Sequence, residues 1–267
     1  LNVEKVNVLK DKINQSENFN YYGPSQKQID CIIEHFQSSR FNEVEKTALL
    51  MTKEFPEHQF GWKVLGAVYY QTGKIFESIF PSQKSVKLAP QDPQAHFNLG
   101  NSLSSLGRIK EAKTSFKKSI FLKPDHYQAY FNLGNTYFLL SKLDKAENNY
   151  KQAILSKPDY AEAYYNLGNT YKDMDRFEEA KSNYEQATSL NKDYFEAYNN
   201  LGVVLQKLGR LKEAVLTYRQ VIRICSNYPE AHYNLATTLN DLGCSEEAEF
   251  NLKKAISLKS DYPEAHF

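Results

Sequence analysis

The sequence predicts an all-α protein made of tandem helix–turn–helix units, on three observations. The tripeptide Asn-Leu-Gly recurs at Asn98-Leu99-Gly100, Asn132-Leu133-Gly134, Asn166-Leu167-Gly168 and Asn200-Leu201-Gly202, each 34 residues after the last. A fixed period of this length marks a repeat architecture. Inside each period apolar residues fall at helical spacing, as in Phe97, Leu99, Leu103 and Leu106, then Ala112, Phe116 and Ile120. Small residues also return at two fixed places, which lets paired helices approach closely.

Extended in both directions, the register gives seven units: 25–58, 59–92, 93–126, 127–160, 161–194, 195–228 and 229–262. With positions numbered 1 to 34 in each, position 7 is Leu65, Leu99, Leu133, Leu167, Leu201 and Leu235, with Cys31 in the first unit. Position 8 is Gly66, Gly100, Gly134, Gly168 and Gly202, then Ala236. Position 20 is Ala112, Ala146, Ala180, Ala214 and Ala248, and position 24 is Phe116, Tyr150, Tyr184, Tyr218 and Leu252. Gly73, Gly107, Gly209 and Gly243 stand where the first helix must end, a place for left-handed backbone. Pro56, Pro90, Pro124 and Pro158 at position 32 end the second helix or open the next unit.

These columns resemble the tetratricopeptide repeat. Unit 127–160 carries the whole signature in Tyr130, Leu133, Gly134, Tyr137, Ala146, Tyr150, Ala153 and Pro158. The resemblance implies an alpha-alpha superhelix, right-handed, with the first helix of each unit lining a concave groove. The domain reading is an N-terminal extension or capping helix at 1–24, two degenerate units at 25–92, five regular units at 93–262, and the start of an eighth at 263–267. Val6, Leu9 and Ile13 form a candidate capping face. Ile32, Val44 and Ala48 depart from the pattern in the first unit. Pro81 falls inside a second helix, where it removes a hydrogen bond and is expected to kink or break it. Pro263-Glu264-Ala265-His266-Phe267 repeats the opening of a unit, so the chain is expected to be a fragment of a longer protein, and the isolated fragment to self-associate through its uncapped C-terminal end.

In the family, positions 2, 5, 6, 9, 12 and 13 face the groove. Position 6 holds Asn98, Asn132, Asn166, Asn200 and Asn234, and position 9 adds Asn101, Asn135 and Asn169. Asparagine is a poor helix former, but its amide offers both a donor and an acceptor to another backbone. A line of one per repeat is similar to the asparagine ladder of O-linked N-acetylglucosamine transferases and bacterial relatives, and implies peptide capture with little demand on sequence. Asparagines that bond only to neighbouring repeats would explain the same column. Phe97, Phe131, Tyr165 and Tyr233 at position 5 serve as apolar groove contacts or as packing against the next helix. Position 2 changes from Gln94 and Gln128 to Glu162, Glu196 and Glu230, which favours basic segments at the C-terminal end.

Other chemistries find little support. The clamp that cochaperone repeats use for a C-terminal dicarboxylate lacks its cations here, since its places hold Phe97, Asn101, Asn132, Glu162 and Asn166. With 33 Lys+Arg against 32 Asp+Glu, a net charge of +1 supplies no basic field for nucleic acid. No apolar run reaches the length of a membrane span. His96, His232 and His266 occupy position 4, where other units have Trp62, Tyr130, Tyr164 and Tyr198, and read as packing residues. His35, His58 and His126 lack metal-ligand spacing. Cys31 falls in the position 7 core column and is expected to be buried, and Cys225 and Cys244 lie near helix ends as incidental thiols. No catalytic, cofactor-binding or metal site is expected. An odd cysteine count fits a reducing, cytoplasmic setting. The expected role is a protein-interaction scaffold that binds an extended or helical peptide. The alternative is the substrate-recruiting arm of a transferase or oxygenase whose catalytic domain follows Phe267.

Overall fold

The computed structural model describes residues 23–259. Expectations that fall on 1–22 and 260–267, including the Val6–Leu9–Ile13 face, His266 and the eighth unit, lie outside these residues. Among the described residues fourteen helices pair into seven hairpins. The first helices are α1 (Gln26–Gln37), α3 (Gln59–Gln71), α5 (Pro93–Ser105), α7 (Tyr127–Leu139), α9 (Ala161–Asp173), α11 (Phe195–Lys207) and α13 (Pro229–Asp241). The second helices are α2 (Phe41–Glu54), α4 (Ile75–Leu88), α6 (Ile109–Leu122), α8 (Leu143–Ser156), α10 (Phe177–Leu190), α12 (Leu211–Ile224) and α14 (Ser245–Leu258). The predicted all-α repeat fold is what forms. It falls into two compact units, 1–124 and 125–267.

Each hairpin turns at position 15, and the backbone there is left-handed in all seven. Gly73, Gly107, Gly209 and Gly243 have φ of +71° to +79°, and Ser39, Ser141 and Asp175 have +53° to +57°. At Gly107 the turn is closed by Gly107 N–H donating to Ser104 O and Arg108 N–H donating to Leu103 O. This satisfies carbonyls that the helix end would otherwise orphan.

The contact between the two helices of a hairpin is built by size complementarity at positions 8 and 24. A Cβ added to Gly134 would lie 2.6 Å from Tyr150 Cε1, and one added to Gly168 would lie 2.7 Å from Tyr184 Cε1. Only a bare backbone leaves room for these rings, which are fully buried. In the second hairpin Gly66 faces Ser82 in place of a ring, while in the first and last hairpins the small partner changes together with the ring. In the first hairpin Ile32 takes position 8 against Ala48, both in one core cluster, and in the last Ala236 pairs in sequence with Leu252.

The break expected at Pro81 and the burial expected of Cys31 are corrected. α4 runs without a break from Ile75 to Leu88 through Pro81. The buried face formed by Ser78, Pro81, Ser82 and Ser85 packs this helix against α3 and α5 on both sides of the missing N–H, so tertiary contact outweighs the lost bond. Cys31 is exposed, not buried. In α1 the buried line runs through Ile29 and Ile32, and one residue of offset rotates Cys31 by about 100° off that face. Its Sγ lies 3.4 Å from His35 Nε2.

Candidate functional site

Within each unit the first helices of successive repeats touch one another, α3 with α5 in the first unit and α7 with α9, α9 with α11 and α11 with α13 in the second. The second helices lie further apart. The first-helix faces therefore form the inner side of each unit, where the asparagine columns sit.

In the second unit these asparagines tie three helices together. Tyr150 Oη donates to Asn135 Oδ1 at 2.7 Å, and Asn166 Nδ2 of the next repeat donates to the same oxygen at 2.9 Å. One repeat on, Tyr184 Oη donates to Asn169 Oδ1 at 2.6 Å, with Asn200 Nδ2 at 2.9 Å. Asn200 Nδ2 also reaches Tyr165 Oη at 3.2 Å. The tyrosine of a second helix and the asparagine of the following first helix thus meet on one amide oxygen. Burial pushes the hydroxyls of Tyr150, Tyr184 and Tyr218 well above the ordinary tyrosine value, so they remain donors.

In the next repeat the motif changes residues and keeps its logic. Val203 stands at position 9, and Gln206 accepts from Tyr218 Oη and donates to Thr238 Oγ1, both at 2.7 Å. Asn234 Nδ2 finds Asn199 Oδ1 at 3.2 Å. In the first unit Asn98 Oδ1 accepts from Gln94 Nε2 at 2.8 Å. Asn101 and Asn132 are engaged as well.

The position 6 amides keep capacity after this structural use. Asn166, Asn200 and Asn234 are half-buried, and each uses an Nδ2 hydrogen towards the repeat before it. Their Oδ1 atoms have no partner and are not enclosed. Asn200 commits both of its Nδ2 hydrogens, to Asn169 and Tyr165, so what each of the three amides retains is an acceptor.

Aromatic rings run beside this row. Phe131 stacks tilted against Tyr150 and Tyr160 with centroids 5.9 and 4.9 Å apart, and Tyr165 against Tyr184 and Tyr194 at 6.0 and 4.9 Å. Phe97 lies 6.0 Å from Phe116. The position 5 rings are thus half packing and half surface. The sequence reading passed over Tyr160, Tyr194 and Tyr228 at position 34, and Tyr127 and Phe195 at position 1, which complete this strip. A column of tyrosine at position 34 was the signal for them.

His232 at position 4 is buried, as expected of a packing residue, and the described position 4 residues Trp62, His96 and His232 share a polar handle. Trp62 Nε1 donates to Pro56 O at 2.8 Å, and His96 Nε2 and His232 Nε2 lie 3.0 and 3.4 Å from Pro90 O and Ser226 O, each six residues back. Among the described residues no cluster of three or more His, Cys, Asp and Glu could hold a metal ion. No described helix is long and apolar enough to cross a membrane.

Profiles of the tetratricopeptide repeat match residues 93–126, 161–194 and 193–261, and a profile described as TPR repeat matches 134–175. Together they span more than half of the chain. Among curated protein sequences none matches this chain significantly. Among solved structures, YrrB, described as a TPR protein with an unusual peptide-binding site, is similar with a TM-score of 0.62 at 24% identity over 69% of this chain and 95% of its own. MamA gives 0.59 at 25% identity over 63% and 98%. PilF of Pseudomonas aeruginosa gives 0.69 at 17% identity over 78% and 95%. With these profiles, seven hairpins in one register and the glycine–aromatic contact at positions 8 and 24, the chain belongs to the tetratricopeptide-repeat family.

Proposed function

We propose that this chain is a protein-interaction scaffold that holds an extended or helical segment of a partner along its first-helix face. One observation carries the reading. Asn166, Asn200 and Asn234, one in each of three successive repeats, each keep an amide oxygen that carries no hydrogen bond and is not enclosed. The backbone N–H groups of a peptide main chain can donate to such a row of acceptors. The half-exposed rings of Phe131 and Tyr165 supply apolar contact beside it. Peptide binding by the similar TPR protein YrrB fits this use of the fold. The likeness of the column to the asparagine ladder of glycosyltransferases supports a second reading, in which the same face recruits substrate for a transferase or oxygenase domain.

The test is selection of displayed random peptides on the full chain, followed by affinity measurement on a variant with Asn166→Ala and Asn200→Ala. The expected outcome is a loss of affinity of about tenfold or more, with far-UV circular dichroism unchanged. Each lost neighbour bond costs only about 1 kcal/mol of stability. Peptides that bind the variant as tightly as the parent chain would sink the reading.

A further inference from the structure

One aromatic pair of the array carries a lysine ammonium from its own chain. Tyr127 and Tyr160, at positions 1 and 34 of one repeat, stand edge to face with centroids 5.2 Å apart at 84°. The ammonium of Lys157, at position 31, lies over both rings at 5.0 and 5.4 Å. Two repeats later Phe195 and Tyr228 occupy the same two positions in the same arrangement, 5.2 Å apart at 72°. Position 31 there is Cys225, which carries no cation.

The charge around the second pair has changed in the same sense. Position 2 of its own repeat is Glu196 where the first pair has Gln128, and position 2 of the next repeat is Glu230 where the first pair has Glu162. The first pair therefore has a lysine and one carboxylate beside it, and the second has two carboxylates and no lysine. Both carboxylates are half-buried and lack an ion partner. Burial first, and then Glu230 and Glu196 among its neighbours, push the Tyr228 hydroxyl upward, which places both carboxylates within electrostatic reach of that ring.

We infer that Phe195 and Tyr228, flanked by Glu196 and Glu230, seat a lysine side chain of the bound partner segment, in the place that Lys157 fills over Tyr127 and Tyr160. The inference rests on the groove reading above. It goes further by naming a residue type that the partner must carry. The ring faces attract the ammonium through their quadrupoles, the two carboxylates balance its charge, and its aliphatic stem covers the exposed ring surface.

The probe is an acetylated, amidated glycine–serine peptide of about twelve residues with one central lysine, against its twin with norleucine in that place. Both are titrated into the full chain at about 50 mM salt, where charge contacts are weakly screened. The lysine peptide should bind about fivefold tighter or better. Cys225→Lys should seat an ammonium of its own and abolish that preference. Lys157→Asn should open a second seat at Tyr127 and Tyr160 and raise the stoichiometry. Both substitutions are at helix-end positions, and circular dichroism checks that the fold is kept. Equal binding of the two peptides, or a preference that survives Cys225→Lys, overturns the seat. If that equal binding is weakened by Asn166→Ala, the groove reading stands alone. Failure of both peptides to bind overturns both.

Discussion

Asp92 sits at a junction of charge and helix capping, where one substitution tests both. It is the N-cap of α5, with its carboxylate accepting from the backbone N–H groups of Gln94 and Ala95. The same side chain takes Lys63 Nζ at 2.9 Å and Gln59 Nε2 at 2.6 Å. Burial pushes its pKa up, but Lys63 and the hydrogen bonds from Gln59, Lys63 and Gln94 outweigh that and hold it below the ordinary value. Asp92→Asn keeps a cap and leaves the largely enclosed ammonium of Lys63 without its counter-charge. A loss of about 1–3 kcal/mol is expected near neutral pH, between the ranges for exposed and fully buried pairs. Because the folded pKa is depressed, the increment is complete above the unfolded value of about 3.9 and disappears as pH falls through the lower folded value. Urea melts of both proteins at neutral pH and below about pH 3 check the size and the sign.

At the scale of the helix pair, stability hangs on the fit between position 8 and position 24. Gly168→Ala brings a methyl to 2.7 Å from the Tyr184 ring, so a ring locked in the core must move. Overpacking of this kind costs about 1–3 kcal/mol, more than the gain of up to about 1 kcal/mol in helix propensity. The array already contains the compensated form, since Ala236 is matched in sequence with Leu252. Gly168→Ala combined with Tyr184→Leu is therefore expected to lose less than the sum of the single changes, by about 1 kcal/mol or more. Additive losses in a denaturation cycle would show that the two side chains do not share the space. The partner columns were readable in the sequence. The hydroxyl of Tyr184 was not, because its bond to Asn169 depends on which way the buried ring points.

Across a repeat array each hairpin leans mainly on its neighbours, so stability is distributed and the ends are weakest. In the second unit the hairpin of α13 and α14 has a described neighbour on one side only, while α9, α10, α11 and α12 are flanked by repeats on both sides. Amide hydrogen exchange should reflect this. The backbone of α14 is expected to exchange about tenfold or more faster than that of α10, which corresponds to about 1.4 kcal/mol in local opening. Uniform protection through the unit would mean that the repeats open together.

The 34-residue register, the helix pairs, the glycine–aromatic contact and the asparagine row are all legible in the chain alone, because repetition displays each position several times. Four glycines revealed the turn at position 15. The structure adds that Ser39, Ser141 and Asp175 adopt the same left-handed backbone, since tertiary packing of the hairpin fixes φ whatever residue stands there. The register misplaced Cys31, because a column names a face only while the helix keeps the same rotation against its neighbours. Tertiary structure alone decided which atoms of each asparagine bond to the adjacent repeat. It also decided that Tyr127 and Tyr160 enclose Lys157 while Phe195 and Tyr228 stand without a cation. Those facts depend on side chains far apart in sequence meeting at bonding distance, and no spacing along the chain encodes such a distance.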